Sequence, residues 1–225
     1  MLLTLFITAG NFVKMTKYFY LILITGKGKF MEVKLIQAEN SEDFKLCNEE
    51  GVKIANFYIE TNKETALISY DTQESFRHQG YASKGLNLLK DTLFNDGNIL
   101  FLELIHLSGE YSRKVAENAG FFSRSNNLEY YICLNPRAEQ ILNDRLSSLD
   151  ITSAEYKSTQ KLLKKAQTLR CAENSAKQKL QDKLDELLKL SEIIEPGDYK
   201  KSIDTEIRHL QKILATSQDI KSKSR

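Results

Sequence analysis

The segment 73–83 contains the residues whose types and spacing are best suited to bind a ligand. Arg77, Gly80 and Ala82 form an R-x-x-G-x-A pattern that leads directly into a stretch with helical spacing. The first N–H groups of a helix lack partners within it, and with the positive end of the helix dipole they bind phosphate oxygens. Gly80 lets the backbone approach a ligand, and Arg77 can add charge. The pattern predicts a pyrophosphate site; the alternative is an ordinary helix start.

Two blocks of sequence extend this pattern. The first is Ile68–Tyr70 followed, after the loop, by Gly80–Ser83, and the second is Ser112–Phe121. They resemble the "I-G-Y-W-I…G-K-G-Y-A-T" and "N-x-x-S-x-x-V-x-E-K-x-G-F" blocks of the GNAT N-acetyltransferases, in the subgroup that includes the ribosomal-protein N-terminal acetyltransferases. The resemblance covers residues 31–136 and implies an acetyltransferase domain over that range.

The resemblance implies direct transfer of an acetyl group from acetyl-CoA, as co-substrate, to an amine, with no metal. The acceptor would be an amine-bearing small molecule or a protein N-terminus. Ser112 matches the serine proposed to protonate the departing thiolate; the alternative is a serine that caps a helix. Backbone N–H groups near Tyr70 and Thr72 would polarise the thioester. The implied cofactor-binding residues are Tyr70, Thr72, Arg77, His78, Gln79, Gly80, Tyr81, Ala82 and Ser83.

A general base is less well defined. Glu103 lies within the apolar run 98–107, where a carboxylate is either desolvated, with a raised pKa, or at a sheet edge facing water. His78 and His106 are alternatives. Tyr130 and Tyr131 could line an acceptor pocket or belong to the core.

The chain also departs from the family pattern. Gly109 stands where the subgroup has Asn, and His78 stands where it has a small residue. Asp71 replaces the usual Trp, and Ala116 occupies the position of a tyrosine found in many other members. These departures leave a second hypothesis open: a catalytically weak acyl-CoA-binding or scaffold protein whose helical tail mediates protein–protein interaction.

The predicted elements give an α+β fold. Alternating or continuous apolar runs predict strands over 31–38, 52–60, 65–72, 98–107 and 128–134. Helical spacing and capping residues predict helices over 41–50, 83–94 and 109–119. The resemblance implies that these elements form a GNAT-like mixed, mostly antiparallel sheet flanked by helices.

Residues 137–225 read as a helical tail. Apolar stripes predict one helix from about Tyr156 to Ser191 and another from about Tyr199. Pro196-Gly197 is a turn signal, so we expect a helical hairpin broken near 195–198 rather than a long coiled coil. Such a tail can bind a protein partner or self-associate.

Charge and cysteine content limit the remaining classes. The net charge of +2 divides into +4 over residues 1–30, −6 over 31–136 and +4 over 137–225. An acidic middle repels phosphates and suits a cationic acceptor, so nucleic acid is not the expected substrate. The three cysteines form neither a CxxC pair nor a disulfide framework, which fits a reducing cytoplasm and no zinc site.

The first thirty residues are apolar and interrupted by Lys14 and Lys17. Their longest apolar run, Tyr18–Ile24, is far shorter than the roughly 20 residues of a spanning helix. Three interpretations stay open: translation that starts at Met31, a weak membrane anchor that would make the protein membrane-associated, and an ordered extension.

Overall fold

The computed structural model describes residues 32–39, 41–105, 107, 109–123 and 130–222. These residues form a seven-stranded sheet in the order β1-β2-β3-β4-β5-β7-β6. All neighbouring strands are antiparallel except β4 and β5, which are parallel. The strands are β1 (Val33–Gln37), β2 (Phe44–Asn48), β3 (Lys53–Asn62), β4 (Thr65–Thr72), β5 (Phe101–Leu104), β6 (Phe122–Ser123) and β7 (Tyr131–Leu134). The expected mixed, mostly antiparallel sheet is confirmed.

One face of the sheet packs against the helices α1 (Tyr81–Asn95) and α2 (Glu110–Asn118). Strand β4 shows the underlying alternation, because Ala66 and Ile68 are buried while Ser69 and Asp71 are exposed. The buried residues of this face share one hydrophobic core with Leu86 and Leu89 of α1 and Val115 of α2. The core therefore fixes both helices relative to the carboxyl end of β4.

The prediction of a helix over 41–50 is wrong. Residues 44–48 form β2, which pairs with both β1 and β3. Phe44, Leu46, Cys47 and Asn48 are buried and only Lys45 is exposed, as expected for a strand paired on both edges. The Ser41 hydroxyl accepts a hydrogen bond from the N–H of Asp43 at 3.1 Å. The Asp43 carboxylate accepts one from the N–H of Ile59 at 3.0 Å. These bonds hold residues 41–43 in a tight turn ahead of β2 rather than at the start of a helix.

A second core lies on the opposite face, over β5 and β7. It is covered by α3 (Ala138–Ser147), which the sequence analysis did not identify, and by the first half of α4 (Ala154–Ile193). Phe101 and Ile132 of the sheet are completely buried in one cluster with Leu142 of α3 and Ala166 and Leu169 of α4. The chain after Pro136 thus contributes to the packing of the sheet.

The rest of the chain forms the predicted helical hairpin. Helix α5 (Asp198–Ser222) follows α4 after a break at residues 194–197, near the expected position. Leu184 of α4 is buried together with Ile203, Ile207 and Leu210 of α5, and Lys183 forms an ion pair with Glu206 at 2.7 Å. An amphipathic stripe on each helix explains the pairing.

The predicted N-terminal extension, residues 1–30, lies outside the described residues, as does His106. Across the described ranges, none of the helices combines the length and the apolar character needed to cross a membrane.

Candidate functional site

A cleft opens between β4 and β5 at their carboxyl ends. The parallel ladder runs from Thr65–Phe101 to Ile68–Leu104 and stops there, although β4 continues to Thr72. Beyond that point the cleft encloses about 680 Å³. Its lining includes Ile68, Tyr70, Leu104, Ile105, Leu107 and Ser112. Ligands of α/β sheets commonly bind outside the carboxyl ends of parallel strands, which is where this cleft lies.

Backbone groups of β4 face this cleft. The N–H of Gln73 donates to the carbonyl of Ile54 at 2.9 Å, so the backbone polar groups of residue 73 point towards β3. Because bonding direction alternates along a strand, the N–H groups of Tyr70 and Thr72 point towards the β5 side, past the end of the ladder. The carbonyl of Thr72 accepts a bond from Nε of Arg77 at 3.0 Å. Two backbone amides of β4 therefore point into the gap beyond the end of the β4–β5 ladder.

The loop after β4 delivers the start of α1 to the same end of the sheet. A short turn, Glu74–Phe76, leads to His78 and Gly80, which have left-handed φ angles of 61° and 80°. Gly80 is the N-cap of α1, and no side chain caps the helix. A Cβ built on Gly80 would meet no atom within 4 Å, so the loop borders open space.

The first three residues of α1 are buried, and their backbone amides are unpaired among the described residues. The N–H groups of Tyr81, Ala82 and Ser83 have no acceptor in the part of the chain that the structure describes. Tyr81 is 4% exposed and packs edge-to-face on Phe76, and the Ser83 hydroxyl donates to the carbonyl of Val115 at 3.2 Å. These positions offer backbone N–H groups to an anion and tie α1 to α2.

The side chains of the loop are held locally. Nε of Arg77 donates to Thr72, its guanidinium lies 3.8 Å from the Asp71 carboxylate, and about half of its side chain is exposed. Gln79 donates to the carbonyl of Ser75 at 2.8 Å. The His78 ring packs against the Tyr111 ring of α2, with centroids 4.5 Å apart. Arg77 therefore stays over the end of β4, while His78 joins the loop to α2.

Ser112 both lines the cleft and caps α2. Its hydroxyl donates to the carbonyl of Gly109 at 2.9 Å and accepts the N–H of Gly109 at 3.3 Å. The Gly109 substitution therefore leaves a helix start whose cap is supplied by the serine three residues later. The structure shows the capping role, and the role of proton donor stays a prediction.

Glu103 lies away from the cleft lining. Its side chain, 17% exposed, faces α4 and lies 3.6 Å from Nζ of Lys165. Lys165 also sits over the Phe101 ring, 4.2 Å from its centroid. The structure does not bring Glu103 together with Ser112.

The sequence predicted a role for the backbone N–H of Tyr70 but none for its side chain. Its hydroxyl is buried and has no hydrogen-bond partner among the described residues. Burial, assisted by the nearby Tyr111 hydroxyl, raises the pKa of Tyr70 to about 12. Side chains alternate along a strand, so Tyr70 lies on the same face of β4 as the buried Ile68. This alternation was the signal in the sequence that the Tyr70 side chain points into the fold.

The two tyrosines of the last strand region are core residues. Tyr131 is 2% exposed, and its hydroxyl donates to the Glu117 carboxylate at 3.0 Å. Burial and the Glu117 charge raise the pKa of Tyr131. Tyr130 packs against the core that α3 and α4 cover. Within the described ranges, no group of three or more His, Cys, Asp or Glu side chains could hold a metal ion.

Among known proteins, the chain is similar to several solved structures. No family model and no curated protein matches the chain. A GNAT acetyltransferase from Bacillus anthracis is 16% identical over 41% of this chain and 66% of its own, with a TM-score of 0.37. The ribosomal-protein-S5-alanine acetyltransferase from Vibrio fischeri is 16% identical over 42% of this chain and 61% of its own, with a TM-score of 0.36.

The spermidine N-acetyltransferase from Vibrio cholerae, solved with CoA and spermine, is 13% identical over 43% of this chain and 66% of its own, with a TM-score of 0.38. The chain thus spans just under two thirds of the length of these structures. With TM-scores below 0.5, the functional proposal for this chain depends on its own cleft and helix start.

Proposed function

We propose that this protein is an acyl-CoA-dependent N-acyltransferase that transfers an acetyl group directly to an amine. The observation that carries the proposal is the meeting of two features at one end of the sheet. The uncapped start of α1 has unpaired amides at residues 81–83, and the parallel strands β4 and β5 separate into a cleft at the same end of the sheet. A diphosphate fits the first feature and a thioester arm fits the second.

In this proposal, backbone N–H groups make most of the contacts to the cofactor. The N–H groups of residues 81–83 and the loop before them would hold the diphosphate, with Arg77 adding a positive charge near it. The amides of Tyr70 and Thr72 would face the thioester carbonyl and stabilise the charge that develops on its oxygen. Ser112, which lines the same cleft, keeps its proposed role as the group that protonates the leaving thiolate.

The cleft favours a basic acceptor. Asp43 and Glu60 contribute to its lining, and Asp71 is exposed on the neighbouring stretch of β4. These carboxylates would attract an alkylammonium group, which must lose a proton before it attacks. A polyamine or a protein N-terminus would satisfy this requirement. The solved structures above are named for spermidine and for the alanine of a ribosomal protein. Glu103, paired with Lys165, stays a candidate base only if that ion pair opens.

The alternative function is an acyl-CoA-binding scaffold protein. Exposed apolar side chains at the tip of the hairpin favour it, because Leu188, Ile193 and Tyr199 are 40%, 79% and 67% exposed. Such a patch can recruit a protein partner. In this case the cleft would bind acyl-CoA without transferring the acyl group.

Titration followed by a turnover assay separates the two functions. Isothermal titration calorimetry with CoA, acetyl-CoA and pantetheine would show whether the ligand binds and whether the diphosphate supplies the affinity. We expect CoA to bind well and pantetheine, which lacks the diphosphate, to bind weakly. Release of free thiol from acetyl-CoA would then be measured with spermidine, an alanine-terminated peptide and an amino sugar.

Each outcome decides between the two functions. Thiol release that depends on an amine supports the transferase. Binding without release on any amine leaves the scaffold function. Failure of CoA and acetyl-CoA to bind contradicts both.

A further inference from the structure

We infer that the phenol of Tyr70 donates a hydrogen bond to the carbonyl oxygen of the bound thioester and stabilises the oxyanion formed during transfer. The inference deepens the proposed acyltransferase function and depends on it. It adds a side chain to the backbone amides of Tyr70 and Thr72 that the proposal places at the thioester carbonyl.

The position of Tyr70 is fixed by strand pairing. In the β3–β4 ladder Tyr70 pairs with Phe57, and the two rings lie 6.0 Å apart. Its backbone lies two residues beyond Ile68, where the ladder with β5 ends, and the residue lines the cleft. The ring is therefore held by the core, and the residue lines the cleft while its hydroxyl is buried behind that lining. We infer that a bound thioester reaches the hydroxyl through the gap between β4 and β5.

The hydroxyl of Tyr70 lacks the partner that a buried hydroxyl normally has. No donor or acceptor in the described part of the chain reaches it. An unpaired buried hydroxyl costs on the order of what a lost hydrogen bond costs, so such groups are commonly found where a ligand completes them. Tyr131 provides the contrast, because its buried hydroxyl is already satisfied by Glu117 at 3.0 Å.

Ser112 also lines the cleft, as do Tyr58 and Ser69, and its hydroxyl is already engaged. Its hydroxyl donates to the carbonyl of Gly109 and accepts the N–H of the same residue. Donating to a substrate would require Ser112 to break the bond that caps α2. Tyr70 can donate without breaking any bond within the described residues.

The chemistry suits a phenol that keeps its proton. The amine lone pair forms a C–N bond to the thioester carbon, and the C=O π pair moves onto oxygen, where the Tyr70 O–H bonds to it. The C=O bond then re-forms, the C–S bond breaks with its pair on sulfur, and the thiolate gains the proton that nitrogen loses. The products are an amide and CoA. Because burial raises the pKa of Tyr70 to about 12, the phenol stays protonated through neutral pH.

The test uses the full chain, the Tyr70→Phe variant and the matched control Tyr131→Phe. Both variants remove one buried phenol hydroxyl, but only Tyr70 lines the cleft. The probes are CoA and acetyl-CoA labelled with ¹³C at the carbonyl. The readouts are the two dissociation constants and the ¹³C carbonyl resonance of the bound thioester, which moves downfield when the oxygen accepts a strong hydrogen bond.

In wild type and Tyr131→Phe we expect a downfield carbonyl resonance and tighter binding of acetyl-CoA than of CoA. In Tyr70→Phe the resonance should return towards its free value, and acetyl-CoA should bind about 3- to 10-fold more weakly, with CoA unchanged. With an accepted amine, turnover should fall about 100-fold or more at unchanged CoA affinity.

An unchanged carbonyl resonance in Tyr70→Phe, or an equal loss of CoA and acetyl-CoA affinity, would overturn the role of Tyr70 while leaving the transferase function standing. A wild type that binds neither ligand would overturn both.

Discussion

Tyr81, Ala82 and Ser83 turn their side chains into the fold and leave their N–H groups at the open start of α1. Gly80 reaches the required left-handed φ of 80° without strain, because it has no Cβ. At the scale of single residues the candidate cofactor site is therefore a set of backbone groups. Among the side chains that line the cleft, the Tyr70 hydroxyl is the buried polar group left without a partner in the described ranges.

The alkaline stability of the protein should report the environment of Tyr70. Below pH 10, the ordinary pKa of a tyrosine, the phenol is protonated in both the folded and the unfolded chain. Between pH 10 and about 12 the unfolded chain loses this proton and the folded chain keeps it, so the free energy of unfolding falls as pH rises. The contribution over this window is on the order of 2 kcal/mol.

Urea unfolding at pH 9 and pH 11.5 measures this loss. Tyr70→Phe should lose less stability between the two pH values than the wild type does. Tyr131, whose pKa is also raised, contributes in the same direction in both proteins. Equal losses in wild type and variant would mean that Tyr70 titrates as an exposed tyrosine.

Local patterns in the sequence predicted much of the site but not its surroundings. The β4–loop–α1 unit was predictable because a strand, a glycine loop and a helix are all encoded within residues 65–95. The environment of Glu103 was not, because its partner Lys165 lies on a helix that begins about 50 residues later. The carboxylate in an apolar strand looked desolvated or exposed, and it is instead ion-paired against α4.

At the scale of elements, two errors have the same physical origin. The Ser41 capping signal and the following acids favoured a helix over 41–50, yet pairing with β1 and β3 produces β2. Helix α3 has a weakly segregated apolar pattern, and its burial comes from the sheet face that it covers. In both segments, tertiary contacts outweighed a local preference that is worth tenths of a kcal/mol per residue.

Helix α1 positions the candidate site, and it can pack closely against the sheet because residue 85 is glycine. A Cβ at this position would lie 2.7 Å from Cε2 of Phe57 and 3.3 Å from Cδ2 of Leu46. Gly85→Ala should therefore lower the free energy of unfolding by about 1–3 kcal/mol through overpacking, despite the better helix propensity of alanine.

A double-mutant cycle with Phe57→Leu provides the control. Phe57→Leu alone leaves a void, whereas the added methyl of Gly85→Ala fills part of that void in the double variant. Thermal and urea unfolding should show the double variant to be more stable than the sum of the two single effects predicts. Additive effects would mean that α1 does not pack on Phe57 through Gly85.

At the scale of the whole molecule, the chain after Pro136 has two structural roles. Helix α3 and the first half of α4 complete the second core, whereas the second half of α4 and α5 pack on each other. The proposed division into a domain at 31–136 and a tail at 137–225 therefore crosses a shared core. The apolar stripes predicted the hairpin itself, because both helices repeat their own pattern locally.

Two truncations test these roles. A chain that ends at residue 179 keeps the second core and should stay folded. A chain that ends at residue 152 exposes Phe101 and Leu134, which are 0% and 4% exposed in the full chain, and should lose several kcal/mol of stability or fail to fold. Circular dichroism and urea unfolding of both fragments measure this difference. Equal stability of the two fragments would show that α4 does not support the sheet.

The central claim is that the amides at the start of α1 bind the diphosphate of CoA, and one pair of variants tests it most directly. Gly80→Glu and Gly51→Glu both place a carboxylate at a glycine with a φ of 80° and no atom within 4 Å of the added Cβ, so their backbone strain should match. Gly51 lies in the turn between β2 and β3, whereas Gly80 is the N-cap of α1.

Calorimetric titration with CoA is the measurement. We predict that Gly51→Glu binds CoA as the wild type does and that Gly80→Glu binds it at least about 100-fold more weakly, because negative charge then faces the diphosphate. Equal affinity in the two variants would contradict the account.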